Sequence, residues 1–142
     1  MSMDIHQNPS RESTGQLLAD NDLPADLAGL DLNHFSGCLE AGVLRGVVGS
    51  ELYGENALLR SLVVVEAARG LGVGNALVTA QEQHLSNVGV KSVYLLTETA
   101  ESYFEGLGYV TISRDQVPES IRNTAQFSNL CRESANLMFK AL

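Results

Sequence analysis

The chain has 142 residues, 44% hydrophobic and 18% charged, a length and mix that predict one compact domain and not a disordered segment. Seventeen acidic against nine basic side chains leave a net charge of −8. That balance argues against a nucleic-acid groove or an anionic membrane surface as partner, since both need clustered Lys and Arg. Apolar runs such as Leu62-Val63-Val64-Val65 are too short to span a bilayer, and Met1 to Gln7 carries neither the basic start nor the apolar stretch of a secretory signal. The expectation is a cytoplasmic protein with two reduced thiols, Cys38 and Cys131, neither of them in a CxxC pair. His6, His34 and His84 stand too far apart in sequence to suggest ligation, so no metal is expected.

In chain order, the first eight residues read as a short strand or a frayed end. Arg11 to Asn21 favours helix, anchored by Leu17 and Leu18, and Asp22-Leu23-Pro24 ends it because proline cannot donate a helical hydrogen bond. Leu27, Leu30 and Leu32 predict a second short helix or a turn. Phe35–Glu40, Val43–Tyr53 and Ala57–Val65 predict three antiparallel strands, separated by the turn sequences Ala41-Gly42 and Gly54-Glu55-Asn56. The pattern then switches to helix, with Val73, Ala76, Leu77, Ala80, His84, Leu85 and Val88 at three- and four-residue steps and a stop near Asn87 and Gly89. Ser92–Leu96 predicts a strand, Ala100–Leu107 a short helix ending at Gly108, and Tyr109–Arg114 a further strand. Pro118 opens a helical turn toward Thr124, and Ala135–Leu142 closes the sheet. A meander followed by β-α-β-α-β gives a mixed α/β sheet with helices packed on its faces.

The informative segment runs from the strand at Leu62–Val65 through Arg69-Gly70-Leu71-Gly72-Val73-Gly74-Asn75 into the long helix. Glycines let the backbone approach a ligand closely. The first helical amides have no internal acceptor, and the helix dipole places partial positive charge at that end. A pyrophosphate suits such donors, and Arg69 adds a charge-assisted contact. The bland alternative is a tight turn that only packs helix against strand. A Walker-type loop fails because Gly74 is followed by Asn75-Ala76 in place of Lys-Ser/Thr. A dinucleotide fold fits poorly, since about half the chain precedes the loop as a meander, although Glu98 stands near the expected acidic position.

Leu62-x-Val64, the Arg69-Gly70-x-Gly72-x-Gly74 loop and Ala100-x-x-Tyr103-Phe104-x-x-x-Gly108-Tyr109 together resemble the GNAT superfamily of N-acetyltransferases. Leu58-Leu59-Arg60-Ser61-Leu62 and the tail Pro118-x-x-Ile121-Arg122-x-Thr124-x-Gln126-Phe127-Ser128-x-Leu130-Cys131 resemble a subgroup named arsenic-resistance N-acetyltransferases. The resemblance implies an α/β (α+β) fold with a mixed, mostly antiparallel six- to seven-stranded sheet, helices on both faces, and a V-shaped cleft where a bulged strand 4 splays from strand 5. It implies acetyl-CoA as cosubstrate and a small-molecule amine as acceptor, with a homodimer as the family habit. Carried onto this chain, backbone groups of Leu62, Val63 and Val64 would pair with the pantetheine arm, amides from Arg69 to Asn75 would hold the pyrophosphate, and Phe104 would lie at the cofactor.

The sequence departs from the family where proton transfer is concerned. Where relatives often place a tyrosine as general acid this chain has Phe104, and Tyr103 beside it is rotated by about 100° on a helix. Tyr103 is a candidate acid or a packing residue, and water is the alternative donor. The fourth strand lacks the glutamate many relatives carry; Glu51, Glu55 and Glu40 on or beside neighbouring strands are candidate bases acting through water, or solvated carboxylates. Arg60, inside an apolar run, either pairs internally with an acid such as Glu51 or binds the anionic head of the acceptor; Arg122 and Gln126 either close over it or are solvent-exposed turn residues. His84 reads as a core-edge residue, and Cys131 as packing or as a carrier thiol. The rival readings are a coenzyme-binding module without catalysis and a protein or peptide acetyltransferase.

Overall fold

A computed structural model of the chain describes residues 3–23, 25–124 and 135–142. These form a seven-stranded sheet in the order β1-β2-β3-β4-β5-β7-β6. Its strands are β1 (Asp4–Gln7), β2 (Phe35–Glu40), β3 (Val43–Tyr53), β4 (Asn56–Val64), β5 (Ser92–Thr97), β6 (Val110–Thr111) and β7 (Asn136–Ala141). The helices are α1 (Arg11–Asp20), α2 (Val73–Asn87), α3 (Glu101–Gly106) and α4 (Glu119–Arg122). β4 and β5 pair in parallel over Asn56–Leu58, and β1-β2, β2-β3, β5-β7 and β6-β7 pair antiparallel. The mixed, mostly antiparallel sheet expected from the sequence is therefore present. The chain divides into two compact units, Met1–Glu51 with Leu59–Val88 and Leu52–Leu58 with Gly89–Leu142, and each carries a hydrophobic cluster.

In the first unit, α1 begins where the Ser10 hydroxyl accepts from the Ser13 amide and ends where the Asn21 side chain donates to the Leu17 carbonyl at 2.8 Å. The leucine-rich stretch after it turns at Ala28-Gly29 and runs into a 3₁₀ turn over Leu32–His34. Arg11 ties it down, donating to the carbonyls of Leu27 at 2.7 Å and Leu30 at 2.8 Å. β2 and β3 join through Ala41 and Gly42, both at positive φ, which is the turn that matches strand twist. Neighbouring residues of β3 then point to opposite faces. Val47 joins Leu17, Leu18, Phe35 and Val63 in the core under α1. A Cβ on Gly46 would meet Leu77 and Val73 of α2, so that glycine lets the long helix sit close to the strand.

The second unit packs Leu58, Tyr94, Val117, Ile121 and Leu137 together. Its β6 has two residues, not the six expected from Tyr109 to Arg114. Tyr109 is buried against Phe104, and at Ser113 the chain enters a capping box with Gln116 that closes a 3₁₀ turn. Lys140 donates to the Leu107 carbonyl at 2.8 Å, satisfying the end of α3, and lies 5.6 Å over the Tyr109 ring.

Candidate functional site

The turn Gly54-Glu55 joins β3 to β4 with two residues, a spacing that would set Arg45 opposite Val64 in an unbroken ladder. The Val65 amide instead donates to the Arg45 carbonyl at 2.9 Å, so β4 holds one extra residue. Ser61 marks the bulge, with φ at +61°. Beyond it, Val63 shares the orientation of Val65 toward β3, and alternation turns the N–H and C=O of Leu62 and Val64 to the opposite edge. Of the three residues expected to meet a pantetheine arm, Val63 thus directs its polar groups to β3 and buries its side chain in the core. Arg69 Nε reaches back to the Val64 carbonyl at 3.0 Å and so braces the loop against the strand end.

A 3₁₀ turn over Glu66–Ala68 precedes the glycine loop, and the Arg69 amide closes it on the Glu66 carbonyl. Gly70 and Gly72 both take φ of +79°, which side chains disfavour. Gly72 caps α2 without a side-chain acceptor, and the Ala76 amide donates to its carbonyl at 3.0 Å. Among the described residues, the amides of Gly70 through Gly74 have no protein acceptor. Arg69, Gly70, Leu71 and Gly72 are exposed, and a Cβ at either Gly70 or Gly72 would meet nothing within 4 Å. An open row of amide donors at the start of a fifteen-residue helix is a seat for an anion.

Arg60 on β4 donates from Nη1 to Glu51 Oε2 at 2.5 Å and from Nε to the Ser61 hydroxyl at 3.1 Å. Both partners of the ion pair are largely buried, with side chains 15% and 14% exposed, so solvent screens them little. Among the described residues, Nη2 is the guanidinium nitrogen without a hydrogen-bond partner. The other two candidate bases face cations as well: Glu40 lies 3.3 Å from Arg45 Nε, and the exposed Glu55 lies 3.7 Å from Lys91.

In the second unit, Phe104 is buried between Tyr103 and Tyr109, edge-on to both. Tyr103 is the residue of α3 whose ring reaches solvent, at 38% exposure. Partial burial pushes its phenol above the usual tyrosine range, so it remains a proton donor across ordinary pH. Arg122 is exposed at the end of α4 and reaches the Val117 carbonyl at 3.5 Å. Gln126 and Cys131 lie outside the described residues. Cys38 is buried, and burial pushes its thiol up, which suits packing better than nucleophilic chemistry.

Two groupings were invisible in the sequence because no local spacing announces them. His34 and His84, fifty positions apart, meet at 3.0 Å between Nδ1 and Nε2, correcting the expectation that the histidines are scattered. Near them Gln81, fully buried on α2, accepts from Ser36 at 2.6 Å and donates to the His34 carbonyl and the Ser50 hydroxyl. Burial first, then the neighbouring His34, pushes His84 below the usual histidine value of 6.5, against a smaller opposing pull from Asp31. Because the unfolded chain then binds a proton that the folded one resists, stability holds above about pH 6.5 and falls as pH drops below it. Urea midpoints at pH 7.5 and 5.5 should show this loss, and His84→Gln should flatten the difference; an unchanged slope removes His84 as its source.

A family model described as an acetyltransferase (GNAT) domain matches residues 21–125. An uncharacterised N-acetyltransferase of Chlorobaculum tepidum is 38% identical over 65 residues, covering 46% of this chain and 41% of that protein. Among solved structures, N-acetylglutamate synthase from Neisseria gonorrhoeae, complexed with coenzyme A and N-acetyl-glutamate, superimposes with a TM-score of 0.85 at 18% identity. That match covers 100% of this chain and 35% of the synthase. A Mycobacterium tuberculosis protein in complex with CoA and NLQ gives a TM-score of 0.81 at 15% identity, over 98% of this chain and 99% of that one. At such identities the structural likeness speaks for the fold alone. The chain spans less than half the length of both the curated relative and the synthase.

Proposed function

The chain belongs to the GNAT acetyltransferase domain family, and on that premise we propose that it transfers an acetyl group from acetyl-CoA to the primary amine of a small, acidic, amino acid-like acceptor. The observation that carries the coenzyme half is the row of amides from Gly70 to Gly74, exposed over Gly70–Gly72, unclaimed by acceptors among the described residues and aligned with the dipole of α2. Those amides, with Arg69 and Asn75 at their ends, hold the diphosphate. Leu62 offers strand-like backbone pairing to the pantetheine arm, and Val64, whose carbonyl accepts from Arg69, turns its amide to the thioester carbonyl, where a donor stabilises the charge that develops on oxygen. Acetyl-CoA supplies an activated acyl group; the acceptor nitrogen bonds to the acetyl carbon and gives up a proton, the carbon–sulfur bond breaks, and the leaving thiolate takes up a proton. Holding both reactants in one site supplies much of the rate.

Arg60 supports an acidic acceptor, because Glu51 and Ser61 fix its guanidinium while Nη2 has no partner among the described residues and can meet an oxygen. The similar synthase was solved with an N-acetylated acidic amino acid. The reading extends to Arg122 as a second contact to the acceptor, to phosphinate or arsinate analogues as acceptors, and to a homodimer in the cytoplasm.

Thermal melts with CoA, acetyl-CoA and NAD test the coenzyme. Ligand at one hundred times its Kd adds about 2.7 kcal/mol, a shift of several degrees for a chain this size. A shift with NAD and none with CoA overturns the reading. Release of free thiol across a panel of acidic amino acids, their phosphinate and arsinate analogues, polyamines and peptides then tests transfer. Tyr103→Phe should lower kcat about 100-fold with CoA affinity unchanged if this phenol protonates the thiolate; a change below threefold assigns that proton to water. The second reading, a coenzyme-binding module, is favoured by Glu40, Glu51 and Glu55 all facing cations and by Phe104 in place of the usual acid. Tight CoA binding with no turnover on any acceptor would establish it.

A further inference from the structure

We propose that the Arg60–Glu51 ion pair is a clamp that holds Ser61 in its left-handed conformation and thereby sets the direction in which Leu62 and Val64 present their backbone groups. The consequence for ligand binding rests on the coenzyme reading above; the conformational claim does not. At Gly54, Gly70 and Gly72 positive φ falls on glycine, which takes it freely, at Asn8 and Asp22 on residue types that tolerate it, and at Ala41 on a hairpin turn that requires it. Ser61 takes it inside a strand, with no turn to require it and a side chain that disfavours it by roughly tenfold. Something other than local preference must hold the bulge, and the side chain before it is placed to do so. Arg60 bonds the Ser61 hydroxyl through Nε at 3.1 Å and Glu51 through Nη1 at 2.5 Å. Glu51 stands on β3, whose position the ladder to β2 and the Arg45–Val65 bond already fix. The restraint therefore runs from β3 through Glu51 and Arg60 to Ser61. Low exposure of both charged groups makes it strong and directional, whereas a solvated pair would confer little order.

Everything beyond the bulge inherits this geometry. The extra residue decides which of Leu62, Val63 and Val64 look away from β3, since a shift of one position turns every backbone and side chain to the other side. Glu51 and Arg60 are thus positioning residues for the strand that would take the pantetheine arm.

The test pairs a clamp-free variant with a rescue. Glu51→Leu combined with Arg60→Met removes both charges while keeping buried volume, so that neither is left uncompensated. NMR couplings and carbon shifts of Ser61 in the free protein should report positive φ in the wild type and its loss in the double variant. Calorimetry should show CoA affinity about tenfold weaker. Adding Ser61→Gly to the double variant should return affinity to within about threefold of wild type, because glycine needs no clamp at that φ. A role for the pair in folding alone predicts no such rescue. Should the double variant not fold, Glu51→Gln, which keeps the shape and drops the charge, carries the same comparison with and without Ser61→Gly. A Ser61 signature unchanged without the clamp, or no recovery with glycine, overturns the proposal. A wild type that binds no CoA overturns the coenzyme reading instead, and the Ser61 signal still decides the clamp.

Discussion

Alanine at both Gly70 and Gly72 is expected to weaken CoA binding by about 100-fold while the melting temperature stays within a few degrees of wild type. Each glycine stands at φ +79°, where a Cβ costs about 1–2 kcal/mol. Neither added methyl would touch anything within 4 Å, so packing is not at issue. An exposed loop with no such contacts relaxes to negative φ and escapes the strain in the free protein. The cost then reappears on binding, when the amides must be returned to the arrangement that faces the diphosphate. Two such costs add to roughly 3 kcal/mol, which corresponds to about 100-fold in affinity. Calorimetric titration against a melt of the free protein separates the two quantities. Unchanged affinity would show that the left-handed turn is incidental to the ligand.

Gly49→Ala should have the opposite profile, a loss of about 3 kcal/mol in stability with no specific loss of coenzyme contacts. Gly49 faces Phe35 directly across β2 and β3, and the phenyl ring lies over it. A Cβ there would stand 2.3 Å from one ring carbon and 2.4 Å from the next. Phe35 is fully buried among Leu17, Leu18 and Val47, so the ring has nowhere to retreat without moving the core under α1. Urea unfolding should show a lowered midpoint at constant slope. Adding Phe35→Leu should recover part of the loss, because the smaller side chain clears the methyl. A midpoint unchanged by Gly49→Ala would mean that the ring yields more readily than its burial implies.

What the sequence revealed followed from whether the signal was local. The meander, the long helix and the glycine loop announce themselves through period-two and period-3.6 patterns and through turn residues, and the structure places them within a residue or two. The same patterns overstated β6, because alternation from Tyr109 onward reflects one buried aromatic and then a 3₁₀ cap at Ser113. The β4 bulge was expected from the resemblance alone and its position was not, because Ser61 carries none of the glycine signal that usually accompanies positive φ and the extra residue shows only when two strands are laid side by side. The Arg60–Glu51 contact was one of two alternatives the apolar run around Arg60 left open. The meeting of His34 with His84 was not foreseeable at all, since their separation along the chain says nothing of how α2 lies beside the turn before β2.

Gln81 has a further consequence for the far end of its helix. Its amide is matched to Ser36, Ser50 and the His34 carbonyl in a dry interior, so sliding α2 along the strands would strand several polar groups at once. Nine residues separate Gln81 from Gly72, about 13 Å of helix at 1.5 Å per residue. The helix therefore works as a gauge rod pinned at one end, and the height of its glycine tip above the sheet is dictated by a glutamine that never meets the ligand.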